Sequence, residues 1–275
     1  MVKYMKYKLF GCCFGEGGLV RGSEDFPLLI SKENSIELIY NSSFELFNME
    51  SKVRNINLNM YNAIKKNLNN NILPIIIGGD HSVVAGGIMA LSEYYDNLGV
   101  IWIDAHADFN DKKSTKTGNM HGMPLSAVCG LGPDSMIDYS KKRFIKPENI
   151  VLLCGRDYEE QEIEKLNNNR IKFYMMSDIY DKGLNQIMNE IKNYFKKVNN
   201  IHVSFDVDSI SSEYAPGTGT PVTNGITIED AKNIITSLKS TNKIVSFDLV
   251  EVNPRLDNNN VTINIAKDIL KIMEE

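Results

Sequence analysis

No run of this sequence is apolar for long enough to cross a bilayer. The longest stretches, residues 72–77 and 201–207, fall far short of the roughly 20 residues a membrane helix needs. Basic residues are nowhere clustered with aromatics, and a formal charge of −5 with a pI near 5.5 gives no general attraction to phosphate backbones or anionic lipid. Nucleic acid and membrane are thereby excluded as partners. Cysteine is scarce: Cys12, Cys13, Cys129 and Cys154 show no CxxC spacing, and the adjacent first two are badly placed to pair with each other. Reduced, intracellular thiols are expected. Lys3 and Lys6 precede only a brief apolar run ending near Phe14, without the core or cleavage site of a signal peptide, so the expected location is the cytoplasm. No tract reads as a linker and no internal repeat is visible, so residues 1–275 are expected to form one domain. Against these absences, 43% hydrophobic and 24% charged residues match ordinary globular proteins and supply a large core.

Short β-branched runs alternate with longer segments of helical period, the signature of βαβ units around a parallel sheet. The expected fold class is therefore α/β. Strands are predicted to end near Ile77, Ile103, Leu153, Phe205 and Leu249, with another opening the chain at Tyr7 to Cys12. Helices are predicted over residues 53–68, over 83–94 behind the N-cap candidate Ser82, over 228–238 behind Thr227, and from Thr262 towards Met273. Asparagine-rich patches at 69–71, 167–169 and 258–260 mark turns.

The chemistry follows the strands. Gly78-Gly79-Asp80-His81-Ser82, Asp104-Ala105-His106-Ala107-Asp108, Asp206-Val207-Asp208 and Glu251 each come directly after an apolar run. Open parallel sheets bind ligands at the carboxyl ends of their strands, so these groups are expected to share one cleft. Asp104, His106 and Asp108 alternate, which on extended backbone points all three to one side; Asp206 and Asp208 repeat the pattern. Four crowded carboxylates need compensating cations, and two divalent ions carry equal and opposite charge. With His81 and His106 added, the donor set is oxygen-rich with two imidazoles, which suits manganese better than a thiolate-seeking metal. Water held between two such cations loses its proton near neutral pH, which points to metal-assisted hydrolysis. Three of the four histidines, His81, His106 and His121, fall in these segments, whereas His202 lies in an apolar run and is expected to be a packed core residue.

In order and spacing these segments, together with Gly118-Asn119-Met120-His121-Gly122, residues 215–221 and Glu251-Val252-Asn253-Pro254, resemble the arginase–agmatinase (ureohydrolase) family. The resemblance covers most of residues 74–262. It implies a three-layer α/β/α domain with a mainly parallel sheet and two Mn2+ per chain. One ion would be held by His81, Asp104, Asp108 and Asp206, the other by Asp104, His106, Asp206 and Asp208. It further implies His121 as proton shuttle, Glu251 as guanidinium partner and Thr220 among the substrate contacts. Asn110, Thr115, Thr117 and Asn119 resemble the positions with which arginases hold the α-carboxylate and α-amino groups of arginine. The implied reaction is hydrolysis of L-arginine to L-ornithine and urea. An agmatinase or formiminoglutamase would share the metals, and a non-catalytic homologue would keep only the binding; the family commonly forms trimers or hexamers. Three departures stand out: Glu159, at the position whose acid the resemblance assigns to the substrate amino group and where family arginases usually carry Asp, Phe26 where glycine is usual, and Ser211-Ser212 in place of an Asp-Pro pair.

Overall fold

The computed structural model describes residues 6–41 and 48–275. Lys3, counted above in the N-terminal charge, lies outside them. In chain order the first elements are β1 (Lys6–Cys12), α1 (Asp25–Ile30), β2 (Ile36–Ile39), α2 (Met49–Asn67), β3 (Ile72–Ile77), α3 (Ala85–Tyr94), β4 (Leu98–Ile103) and α4 (Pro124–Val128). There follow β5 (Ile150–Gly155), α5 (Glu160–Asn168), β6 (Lys172–Met175), α6 (Met176–Lys182), α7 (Leu184–Tyr194), β7 (Asn200–Asp206), α8 (Ile228–Lys239), β8 (Ile244–Val250) and α9 (Val261–Glu274).

The strands form one 8-stranded sheet in the order β2-β1-β3-β8-β7-β4-β5-β6, and every described pairing is parallel. Nearly every residue of β3, β4, β5, β7 and β8 is buried, on both faces of the sheet, as in parallel sheets covered by helices. Ile75, Ile77, Ile101, Ile103 and Phe205 pack into one core with Phe26 of α1 and the apolar stripes of α6 to α9. Ile76, Val100 and Trp102 face the other, closed by α2, α3, α4 and Leu166 of α5. The three-layer architecture is as expected, and the sheet is parallel throughout rather than mainly so.

Local chemistry sets the helix starts. Asn48 caps α2 by accepting from the Ser51 amide at 2.9 Å, and Val53, Ile56, Met60 and Ile64 then recur at helical spacing on its buried face. Thr227 and Asp230 form a reciprocal capping box on α8. Ser82 does not cap α3. The Asp80 carboxylate takes the Ser82 amide at 2.9 Å and winds residues 81–83 into a tight turn first, so the helix begins only at Ala85. Asn71, Asn259 and Asn260 adopt left-handed backbone, while beside the 167–169 patch it is Arg170 that does so. Among the described residues no helix is long and apolar enough to cross a membrane.

The strand order has one consequence for chemistry. It sets β3, β8, β7 and β4 side by side, so four segments far apart in sequence leave the sheet at one carboxyl edge.

Candidate active site

At the end of β3 the chain approaches the residues following β1 so closely that a Cβ on Gly79 would lie 1.7 Å from the Phe14 carbonyl oxygen. Only glycine fits there. The contact lets Asp80 accept from the Gly17 amide at 2.6 Å, and Gly17 in turn accepts from the Met120 and His121 amides at 2.7 and 3.2 Å. Asp80 thus ties together the three segments that surround His121.

His81 is buried, stacked on Trp102 with ring centroids 4.1 Å apart. Its Nδ1 lies 2.9 Å from Asp108 Oδ2 and 3.1 Å from both Asp104 Oδ2 and Asp206 Oδ2. On the far side of the ring, Nε2 lies 2.9 Å from the Ser204 hydroxyl, which donates to Asp248 at 2.6 Å. Because Ser204 spends its proton on Asp248, Nε2 must carry the ring proton and Nδ1 faces the carboxylates. His202 is fully buried against the same Asp248 at 2.8 Å and Ser246 at 2.7 Å, the packed core residue expected. His106 repeats the arrangement, with Nδ1 3.0 Å from Asp208 Oδ2 and 3.5 Å from Asp104 Oδ1, and Nε2 3.5 Å from Asp157.

The acids converge as expected, but by turns rather than by strand alternation. β4 ends at Ile103; Asp104 then curls the chain by accepting from the His106 amide at 2.7 Å. Asp108 sits at φ 50, pinned through its neighbour Phe109, whose amide donates to Glu162 at 3.0 Å. Asp206 closes β7 and accepts from the Asp208 amide at 2.9 Å in the same way. Glu251 is at φ 64, its amide held by the Gly79 carbonyl at 2.9 Å. Left-handed backbone at a carboxylate costs roughly 1–3 kcal/mol each and persists where the surroundings enforce it.

Two donor groups result, His81 with Asp104 and Asp108, and Asp104 with His106 and Asp208, sharing Asp104. Burial and the charge of Asp104 push Asp108 up to about 6, and burial with Asp208 and Asp104 pushes Asp206 well above the carboxylate range. Burial opposes charge on both imidazoles too, yet Asp108 at His81 and Asp208 at His106 outweigh it and hold both well above their usual range. The cluster therefore retains protons where cations would otherwise balance it. His81 Nδ1 and Asp108 Oδ2 face each other at 2.9 Å in buried surroundings without a well-aligned hydrogen bond, so both can serve as donor atoms to a cation that displaces the proton. Oxygen and imidazole donors facing one another fit a hard or borderline divalent metal.

Beside the cluster, His121 Nδ1 is 3.0 Å from Glu251 Oε1, which also accepts from the His81 amide at 2.9 Å. Burial lowers the affinity of His121 for its proton, but Glu251 outweighs it and raises the imidazole to about 9. Glu251, though desolvated, is kept below the ordinary carboxylate range by His121. Both line a cavity of about 210 Å³ whose walls also include His81, Asn110, Glu159 and Thr220. Thr220 donates to Asp208 at 3.0 Å. Thr115, Thr117 and Asn119 are not among the lining residues; the two hydroxyls accept loop amides of Gly118 and Asn119 at 3.0 and 3.2 Å. Glu159 accepts from Asn110 at 3.1 Å.

Of the three departures, Phe26 is a buried helical residue that needs no left-handed backbone. Around Ser211, Ser209 donates to the Asp206 carbonyl at 2.7 Å and Arg156 to the Asp208 carbonyl at 2.6 Å, so the turn carrying both acids is held by other means. Ser204, Asp248, Arg156 and Glu162 were not singled out by sequence, since each acts through a contact far away in the chain.

An all-parallel α/β sheet with carboxylates and imidazoles clustered at its carboxyl edge, beside a His121–Glu251 pair, forms a site that could hold divalent metal ions. The chain belongs to the arginase family, whose profile matches residues 24–273. It is 38% identical over 233 residues to an arginase of Staphylococcus aureus, covering 82% of this chain and 77% of the relative. The arginase structure from Bacillus cereus superposes with a TM-score of 0.90 at 28% identity, over 98% of this chain and 97% of that one. That of Entamoeba histolytica arginase in complex with L-ornithine superposes with a TM-score of 0.88 at 28% identity, over 99% and 98%.

Proposed function

We propose that this protein hydrolyses the guanidinium group of L-arginine to L-ornithine and urea, using two Mn2+ held by His81, Asp104, His106, Asp108, Asp206 and Asp208. The observation that carries this reading is the pair of donor groups sharing Asp104, set beside His121 and Glu251 in one cavity. Bound there, the cations would supply a water of lowered pKa as the nucleophile for the guanidinium carbon. The chain's own residues do the rest.

Glu251 is ionised and presents a planar acceptor, to which a guanidinium can donate two parallel hydrogen bonds. His121 is protonated near neutrality and lies against that carboxylate, so it is placed to protonate the departing amine as the carbon–nitrogen bond breaks. Ser204 and Asp248 fix the His81 tautomer, and Asp157 lies against His106. Asn110 and Glu159, at the cavity wall, meet the polar end of the substrate, with Thr115, Thr117 and Asn119 on the adjoining loop. Thr220 steadies Asp208.

The test is Asp206→Ala, which removes a carboxylate that lies 3.1 Å from His81 Nδ1 and accepts from the Asp208 amide. The expected result is loss of urea formation together with a fall below two bound Mn2+ per chain. Full double occupancy with normal turnover in that variant would overturn the two-metal reading.

A further inference from the structure

Beside the cavity, paired with one of its lining acids, lies a cation that the cleavage chemistry does not require. Lys116 Nζ lies 3.2 Å from Glu159 Oε1, with its side chain 66% exposed. The other oxygen of Glu159 is fixed by Asn110 at 3.1 Å. Among the described residues, Lys116 is the one lysine or arginine ion-paired with a carboxylate that lines the cavity. Of the lysines nearby, Lys112 pairs with Glu50 and Lys165 with Asp111, both at 2.6 Å.

Asp157, Glu159 and Glu162 all line this part of the cavity, and such a wall repels an entering α-carboxylate. An α-amino acid is a zwitterion with its two charges one carbon apart, and Glu159 beside Lys116 is its mirror: a fixed anion for the ammonium and a mobile cation for the carboxylate. We infer that Lys116 is a specificity-determining residue that engages the substrate α-carboxylate beside Glu159, the acid that the family resemblance assigns to the α-ammonium. This rests on the arginine reading above. In the free protein the two side chains satisfy each other, and an exposed pair of this kind contributes little, so separating it is easy. A substrate lacking the carboxylate leaves Lys116 facing an ammonium, so the same residue that favours arginine disfavours the decarboxylated amine.

The test compares Lys116→Ala and Lys116→Arg with the wild type, by steady-state kinetics on L-arginine and agmatine and by calorimetric binding of L-ornithine to the Mn2+-loaded protein. For Lys116→Ala, KM for arginine and Kd for ornithine are expected to rise about tenfold, the gain typical of one charge-assisted hydrogen bond. KM for agmatine is expected to stay level or fall, and Lys116→Arg to restore most of the arginine and ornithine affinity. Unchanged or improved arginine and ornithine affinity in Lys116→Ala, or an equal loss on both substrates, would overturn the inference. If the wild type bound ornithine in a Lys116-dependent way yet released no urea from arginine, the proposed reaction would fail while this assignment stood.

Discussion

At the scale of the residue, the site depends on which atoms hold protons. His81 and His106 are both held above the ordinary imidazole range by facing carboxylates, so near neutrality the apoprotein keeps protons that a metal must displace. Raising the pH removes those protons from the free site and thus strengthens metal binding. Mn2+ affinity is expected to rise steadily from pH 6 to pH 8, with proton release on binding; calorimetry in buffers of differing ionisation enthalpy checks both. Ser204→Ala deletes the hydroxyl that fixes the His81 tautomer, and metal affinity is expected to fall by about 10–100-fold, measured by competition with a chelator. His121→Ala has a different signature: metal content is retained and kcat drops by roughly 10²-fold or more, because only the proton donor is lost. Loss of the metals with unchanged turnover per bound pair would make His121 structural instead. The clustered acids and imidazoles were legible because they fall within a few residues after apolar runs. Ser204, Asp248 and Glu162 were not, because their partners lie 123, 44 and 53 residues away.

At the scale of the element, the strands that carry chemistry were legible and the edge strands were not. β3, β4, β7 and β8 are buried on nearly every residue, and continuous burial writes a continuous apolar run. β2 and β6 have only 4 residues each and are mostly half-buried at the sheet edges, so their composition resembles loop. Short α1 carries Pro27 next to Phe26, and no helix was predicted there. The convergence of the acids was foreseen for the wrong reason: side-chain-to-amide turns at Asp104 and Asp206 bring them together, not period-two strands. The most constrained element junction is Gly79 against Phe14. Gly79→Ala forces backbone apart there and is expected to destabilise the protein by about 1–3 kcal/mol or more, with parallel loss of activity as the Asp80–Gly17 contact opens. Denaturant unfolding of the variant checks this; an unchanged midpoint would show that the junction yields freely.

At the scale of the whole molecule, the net charge of −5 is partly concentrated where the strand ends meet. Neutralising that cluster couples metal binding to global stability, because the donors are assembled only in the folded chain. Saturating Mn2+ at about 100 times its Kd is expected to add roughly 2.7 kcal/mol and raise the Tm accordingly, with EDTA reversing the shift. The account as a whole turns on which guanidine is cleaved. The proposed metals and Glu251 would treat arginine and agmatine alike, so only contacts to the α-carboxylate, which agmatine lacks, can separate the two. Sites built around a polar group reject analogues lacking it by orders of magnitude. The direct measurement is urea release from L-arginine and from agmatine by the Mn2+-loaded protein under identical conditions. The expected result is a kcat/KM for arginine at least about 10²-fold above that for agmatine; equal or better turnover of agmatine would contradict it.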